Sequence, residues 1–75
     1  MKYANENVPP PPLTKKQMVI LISVTRGLSN KDIALELGIS PVIVKKQLSV
    51  IFAKLGVATR AEAASIAIQK HLIRA

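Results

Sequence analysis

Apolar residues recur at helical spacing along most of the chain, and each apolar segment begins at a residue that caps helices well. One such segment lies between Ser29 and Gly38, and its apolar stripe consists of Ile33, Ala34 and Leu37. Ser29 is a favourable N-cap, and glycine readily adopts the left-handed conformation that ends many helices. The pattern predicts a short helix that begins after Ser29 and ends at Gly38.

A second helix is predicted immediately afterwards. Ser40 is a suitable N-cap, and Pro41 fits the first helical turn, where its missing N–H has no hydrogen bond to lose. The apolar stripe of this helix runs up to Gly56 and consists of Val44, Leu48, Ile51 and Leu55. These four positions share one face of the helix.

The connection between these two helices is short. It comprises about three residues, 38–40, of which Ile39 can fill the space between the helices. The small side chain of Ala34 permits the two helices to cross closely. We therefore predict a helix-turn-helix at about residues 29–54, with its second helix at about 41–54.

Two capping boxes predict one further helix on each side of the helix-turn-helix. In a capping box, a Ser or Thr and a Glu or Gln three residues later satisfy each other's free backbone N–H groups. Thr14 with Gln17 opens a first helix that runs to about Arg26, and Thr59 with Glu62 opens a fourth helix. The chain is therefore predicted to be all-α.

The first and fourth helices carry more apolar surface than one buried stripe requires. Val19 or Ile22 of the first helix is expected to be exposed or to meet a partner. In the fourth helix, Ala64 and Ile68 fall outside the predicted inward face, and small residues permit close helix approach. These four residues form a candidate dimer or partner surface; scattered surface apolar residues are the alternative.

Residues 1–12 contain four consecutive prolines, Pro9 to Pro12, and are predicted to form an extended proline-rich tail or linker. A stiff spacer is the favoured interpretation, and a proline-rich ligand for a recognition domain is the alternative. Residues 13–75 are predicted to form one folded domain.

The charge balance favours a polyanionic partner. Eleven Lys and Arg residues against four Asp and Glu residues give the chain of 75 residues a formal net charge of +7. Nucleic acid is a better candidate than a membrane surface, because the basic residues do not follow one amphipathic helix with aromatic anchors.

The composition disfavours several other classes of protein. There is no cysteine and only one histidine, His71, so neither a metal site nor a cofactor is expected. No group of residues suggests nucleophilic or acid–base catalysis, and so small a helical domain is not expected to be an enzyme or to bind a small-molecule ligand. No apolar run approaches the roughly 20 residues that span a bilayer, and no signal peptide is evident, so a cytoplasmic location is expected.

Three segments give a more specific signal: GLSNKDIA at 27–34, KLGV at 54–57 and TRAEA at 59–63. With these segments the chain from Leu13 to about Leu72 resembles the LuxR-type (GerE-like) DNA-binding domain of bacterial transcription regulators. The resemblance implies a four-helix bundle whose third helix enters the major groove of double-stranded DNA and whose fourth helix commonly forms a homodimer. It further implies transcription regulation as the output domain of a response regulator or similar regulator, with RNA polymerase as a further contact.

The resemblance also implies which residues face DNA. The base-reading residues would be Lys45, Lys46 and Ser49. The phosphate-contacting residues would be Asn30, Lys31, Ser40, Gln47, Lys54 and Arg60. The two adjacent lysines also stand out by position, because a cation in the first turns opposes the helix dipole by a few tenths to about 1 kcal/mol. A solvated charged face is the alternative.

The sequence departs from the family pattern at four positions of the predicted recognition helix, and at two of them Pro41 and Val42 replace the usual polar and small residues. Ile43 stands where the family usually has threonine, and Gln47 stands where it usually has histidine. Together with Val19, Ile22 and Val42, the apolar Ile43 keeps a second interpretation open. In that interpretation the domain is a protein-interaction module that retains the helix-turn-helix fold.

Overall fold

The computed structural model describes residues 13–69, and this part of the chain contains four α-helices and no strand. The helices are α1 (Lys15–Thr25), α2 (Asn30–Leu37), α3 (Pro41–Leu55) and α4 (Arg60–Gln69). The all-α prediction is confirmed. The predictions for the tail at 1–12 and for His71 lie outside the described residues.

Both predicted capping boxes are present. At α1, the Gln17 backbone N–H donates to Thr14 Oγ1 over 3.1 Å, and the Thr14 N–H donates to Gln17 Oε1 over 3.0 Å. At α4, the Glu62 N–H donates to Thr59 Oγ1, and Glu62 Oε1 accepts from the N–H groups of Thr59 and Ala58. These bonds satisfy backbone donors that have no partner inside the helix.

The turn of the helix-turn-helix follows from its local sequence. Gly38 has φ +67°, in the left-handed region, and the N–H of Ile39 donates to Ala34 O over 3.1 Å. Ser40 then caps α3, its hydroxyl accepting from the Ile43 N–H over 3.2 Å. Residues 38–40 thus close α2 and open α3 within three residues, as predicted.

A single core joins the four described helices. Its buried apolar residues are Ile20, Leu21 and Val24 of α1, Ile33 and Ala34 of α2, Val44, Leu48 and Ile51 of α3, and Ala63 and Ala67 of α4. Helix α3 packs against all three of the others, and α1 also packs against α4. One face of α3 is therefore held by the rest of the domain.

Part of the apolar surface of α1 lies outside this core, as predicted. Val19 is 44% exposed and Ile22 is 38% exposed. On α4, Ile68 is also exposed, and Ala64 is half-buried. No helix in the described part of the chain has both the length and the apolar character needed to cross a bilayer.

Candidate nucleic-acid interface

The outward face of α3 carries the three residues assigned to base reading. Lys45, Lys46 and Ser49 are all exposed. Lys46 and Ser49 are three positions apart and therefore lie on one helix face, with Lys45 beside them. The buried stripe of α3 lies on the opposite side, so core packing leaves these side chains available to a partner.

The charge of α3 has one sign. The helix contains Lys45, Lys46 and Lys54 and no acidic residue. Among the acids of the described residues, Glu36 lies 3.8 Å from Arg26, where both side chains are about half-exposed. This pair joins the end of α1 to α2. The outward face of α3 is thus a cationic surface.

Two of the residues assigned to phosphate contact lie at helix N-termini and are exposed. Lys31 is in the first turn of α2, and Ser40 is the N-cap of α3. Free backbone N–H groups at a helix N-terminus suit phosphate oxygens, so both positions have the right chemistry for a nucleic-acid backbone.

Two further phosphate candidates, Asn30 and Arg60, are brought together by the fold. The Arg60 guanidinium donates from Nη1 to Leu28 O over 3.1 Å and from Nη2 to Asn30 Oδ1. The two side chains tie the start of α4 to the start of α2. Sequence spacing gave no sign of this pairing, because the residues are 30 positions apart.

The remaining phosphate candidates, Gln47 and Lys54, share a partner on α1. Gln17 Nε2 donates to Gln47 Oε1 over 3.1 Å, and Lys54 Nζ donates to Gln17 Oε1 over 2.8 Å. Gln17 is only 6% exposed. Sequence reasoning assigned Gln17 to the capping box alone and missed this second role, for which no local pattern gives a signal.

The comparisons with known proteins decide the family. Residues 11–67 match the family described as "Bacterial regulatory proteins, luxR family". The chain belongs to the LuxR family. Two similar proteins come from Bacillus subtilis (strain 168). The transcriptional regulatory protein YdfI is 43% identical over 61 residues, which is 81% of this chain and 29% of YdfI. The transcriptional regulatory protein LiaR is 36% identical over 74 residues, which is 97% of this chain and 35% of LiaR.

A solved structure of similar fold is that of the response regulator ChrA in a heme-sensing two-component system. It matches with a TM-score of 0.83 and 38% identity, over 91% of this chain and 34% of ChrA. This LuxR-family chain therefore spans about a third of the length of YdfI, LiaR and ChrA.

Family membership confirms the predicted class. The chain is a helix-turn-helix DNA-binding domain of the type found in response-regulator transcription factors. Because the family and the relatives are transcriptional regulators, the prediction that the domain is not an enzyme is also confirmed.

Proposed function

We propose that α3 is the recognition helix of this LuxR-family domain and reads the major groove of double-stranded DNA to regulate transcription. The observation that carries the proposal is the exposed set of Lys45, Lys46 and Ser49, opposite the face of α3 that is packed on the other helices. A helix supported in this way can enter a groove without loss of core contacts.

The hydrogen-bonding groups of the three side chains determine which bases they can contact. Lysine donates to guanine O6 and N7, so Lys45 and Lys46 favour guanine in the recognised half-site. The Ser49 hydroxyl both donates and accepts, and is compatible with several bases. The lysines therefore carry most of the discrimination.

Six other residues contribute to phosphate contact in two ways. Lys31 and Ser40 contact phosphates directly, because both are exposed at helix N-termini. The other four side chains also make hydrogen bonds within the domain, and these bonds hold them in place on α2, α3 and α4. They are Asn30, Gln47, Lys54 and Arg60. The second group combines positioning of the helices with phosphate contact.

Binding to duplexes selected from a random pool tests these roles. Lys46→Ala and Lys45→Ala should each cost about 1–3 kcal/mol on the selected duplex and little on random duplex. Lys31→Ala should weaken both duplexes alike and lower the slope of log K against log salt by about 0.9. Equal losses on both duplexes for Lys45→Ala and Lys46→Ala would contradict base reading by these lysines.

We further propose that this domain is the output part of a response regulator or similar regulator that acts in the bacterial cytoplasm at the nucleoid. The support is the similarity to YdfI, LiaR and ChrA, of each of which it matches about a third. Contact with RNA polymerase belongs to the same proposal. Chromatin immunoprecipitation of the full-length protein, with and without its signal, would test it.

The proposed functional unit is a homodimer on paired half-sites about one helical turn apart. The supporting surface comprises Ala64 and Ile68 of α4 with Val19 and Ile22 of α1. Three of these side chains are exposed, and Ala64 is half-buried. Sedimentation of the protein with a paired-site duplex should give two chains per duplex.

Exposed apolar side chains favour a second candidate function, that of a protein-interaction module. Val42 and Ile43 at the start of α3 are both exposed, as are Val19 and Ile22. A salt titration separates the two functions. Binding driven by phosphate contact weakens steeply with salt, whereas binding through apolar surface persists at several hundred millimolar salt.

A further inference from the structure

An apolar residue lies on the proposed DNA-reading face of α3. Val42 is the second residue of the helix and is 66% exposed. It precedes Lys46 by four positions and Ser49 by seven, so the three side chains follow one line along the helix surface. The cationic face therefore begins with two exposed methyl groups.

Neither the core nor the helix itself accounts for a valine at this position. Val42 lies outside the core cluster and outside the partly buried residues packed against it. Its β-branched side chain has a lower helix propensity than many polar residues that suit an exposed first turn. Its neighbours along this line of α3, Lys46 and Ser49, are polar and exposed.

The major groove offers one apolar feature at its base edges, the 5-methyl group of thymine. Recognition helices place their N-terminal residues nearest the base edges, and Val42 lies in the first turn of α3. The four-residue step from Val42 to Lys46 covers about 6 Å of helix, comparable to the height of about two base pairs.

We propose that Val42 is a specificity-determining residue that packs against a thymine 5-methyl group within about two base pairs of the guanine read by Lys46. The inference rests on the proposed function of α3, and it adds a thymine to the recognised half-site. Contact with the methyl group excludes water from both apolar surfaces and requires no hydrogen bond.

A double-mutant cycle between protein and DNA isolates this contact. Each dT of the duplex selected by the wild-type chain is replaced singly by dU, which removes the methyl group and leaves the base-pairing edge unchanged. For wild type, one of these single dT→dU replacements should weaken binding about fourfold, as expected for one buried methyl group. For Val42→Ala, the same replacement should change affinity less than about 1.5-fold.

Matched variants exclude indirect effects. Val50→Ala removes the same atoms from another exposed valine of α3, about 12 Å further along the helix axis, and should retain the wild-type response to dU. Val42→Thr keeps one methyl group and the branched shape, and should give an intermediate response. Circular dichroism of each variant checks that the exposed substitutions leave the fold intact.

The outcomes distinguish this inference from the function on which it rests. If wild type prefers its selected duplex but Val42→Ala responds to every dU as wild type does, Val42 does not read thymine, and base reading by α3 survives. If wild type has no preference for any duplex, the proposed function fails and the thymine contact fails with it.

Discussion

At the scale of single residues, Gln17 connects the proposed reading helix to the rest of the domain. Its Oε1 accepts from the Thr14 N–H and from Lys54 Nζ, while its Nε2 donates to Gln47 Oε1. One nearly buried amide thus joins the cap of α1 to two positions of α3, seven residues apart. Gln17 therefore links α1 to α3 in addition to the apolar core that the two helices share.

Replacement of Gln17 should lower stability more than its size suggests. Gln17→Ala removes partners of Gln47 and Lys54, and we expect a loss of about 1–3 kcal/mol in the free energy of unfolding. Gln17→Glu keeps the acceptor for Lys54 and for the Thr14 N–H, and should lose less. Urea unfolding followed by circular dichroism measures both.

The exposed neighbour Lys16 provides the control, since Lys16→Ala should change stability by less than about 0.5 kcal/mol. If Gln17→Ala and Lys16→Ala were equally stable, the hydrogen bonds of the Gln17 side chain would contribute nothing measurable to stability.

Arg60 provides a second prediction at the same scale. Its guanidinium joins Leu28 O and Asn30, and it is partly buried. Arg60→Ala should therefore cost about 1–3 kcal/mol of stability. Arg26→Ala removes an arginine whose ion pair with Glu36 is about half-exposed, and it should cost less than about 1 kcal/mol. Thermal unfolding of the two variants checks the order; a reversed order would show that Arg60 has no structural role.

At the scale of elements, the helix boundaries could be predicted because they depend on neighbours in sequence. Ser40 and Gly38 act on residues no more than four or five positions away, so their effect is visible without a structure. The predicted third helix, 41–54, differs from the observed α3 by one residue. The contacts of Gln17 with α3 span 30 and 37 positions, and they follow from the packing of α1 on α3, which no local pattern encodes.

The features of the candidate site also fall into those that the local sequence predicts and those that depend on tertiary packing. The exposure of Lys45 and Lys46 follows from the spacing of the buried stripe in the same helix. The pairing of Asn30 with Arg60 does not follow from the sequence of either helix, because it depends on where α4 begins relative to α2. Local periodicity thus predicts which face of a helix is free, while the hydrogen-bond partners of polar side chains require the tertiary arrangement.

The turn between α2 and α3 gives a prediction at this scale. A Cβ at Gly38 would meet no atom within 4 Å, so the cost of Gly38→Ala arises from the left-handed backbone at φ +67° alone. We expect a loss of about 1–2 kcal/mol in stability. Gly38→Asn should lose less, because asparagine tolerates this conformation. Chemical unfolding compares the two, and equal stabilities of the alanine variant and wild type would show that the turn adopts another conformation.

At the scale of the whole molecule, the attraction of a polyanion depends on the net charge and on where the charged residues lie on the surface. A formal charge of +7 attracts any polyanion, so composition alone predicts non-specific binding. The fold adds direction, because α3 presents lysines without acidic residues on the face that core packing leaves exposed. In the proposed homodimer, two such faces at a fixed separation read the paired half-sites.

Dimerisation is the part of the proposed function that a substitution at Ile68 of α4 tests. Ile68 is 44% exposed, so Ile68→Ser should leave the unfolding transition of the monomer nearly unchanged. If α4 forms the dimer contact, the variant should bind a single half-site as wild type does and lose at least about tenfold in affinity for the paired site, since the two chains no longer bind cooperatively.

Leu35→Ser is the matched control, because Leu35 is an equally aliphatic and more exposed residue on α2. It should retain wild-type affinity for both duplexes. Fluorescence anisotropy with single and paired half-sites measures the difference, and sedimentation gives the number of chains bound. Unchanged paired-site affinity in Ile68→Ser would place the dimer contact elsewhere, and the exposed Val19 and Ile22 of α1 would then be the surface to substitute.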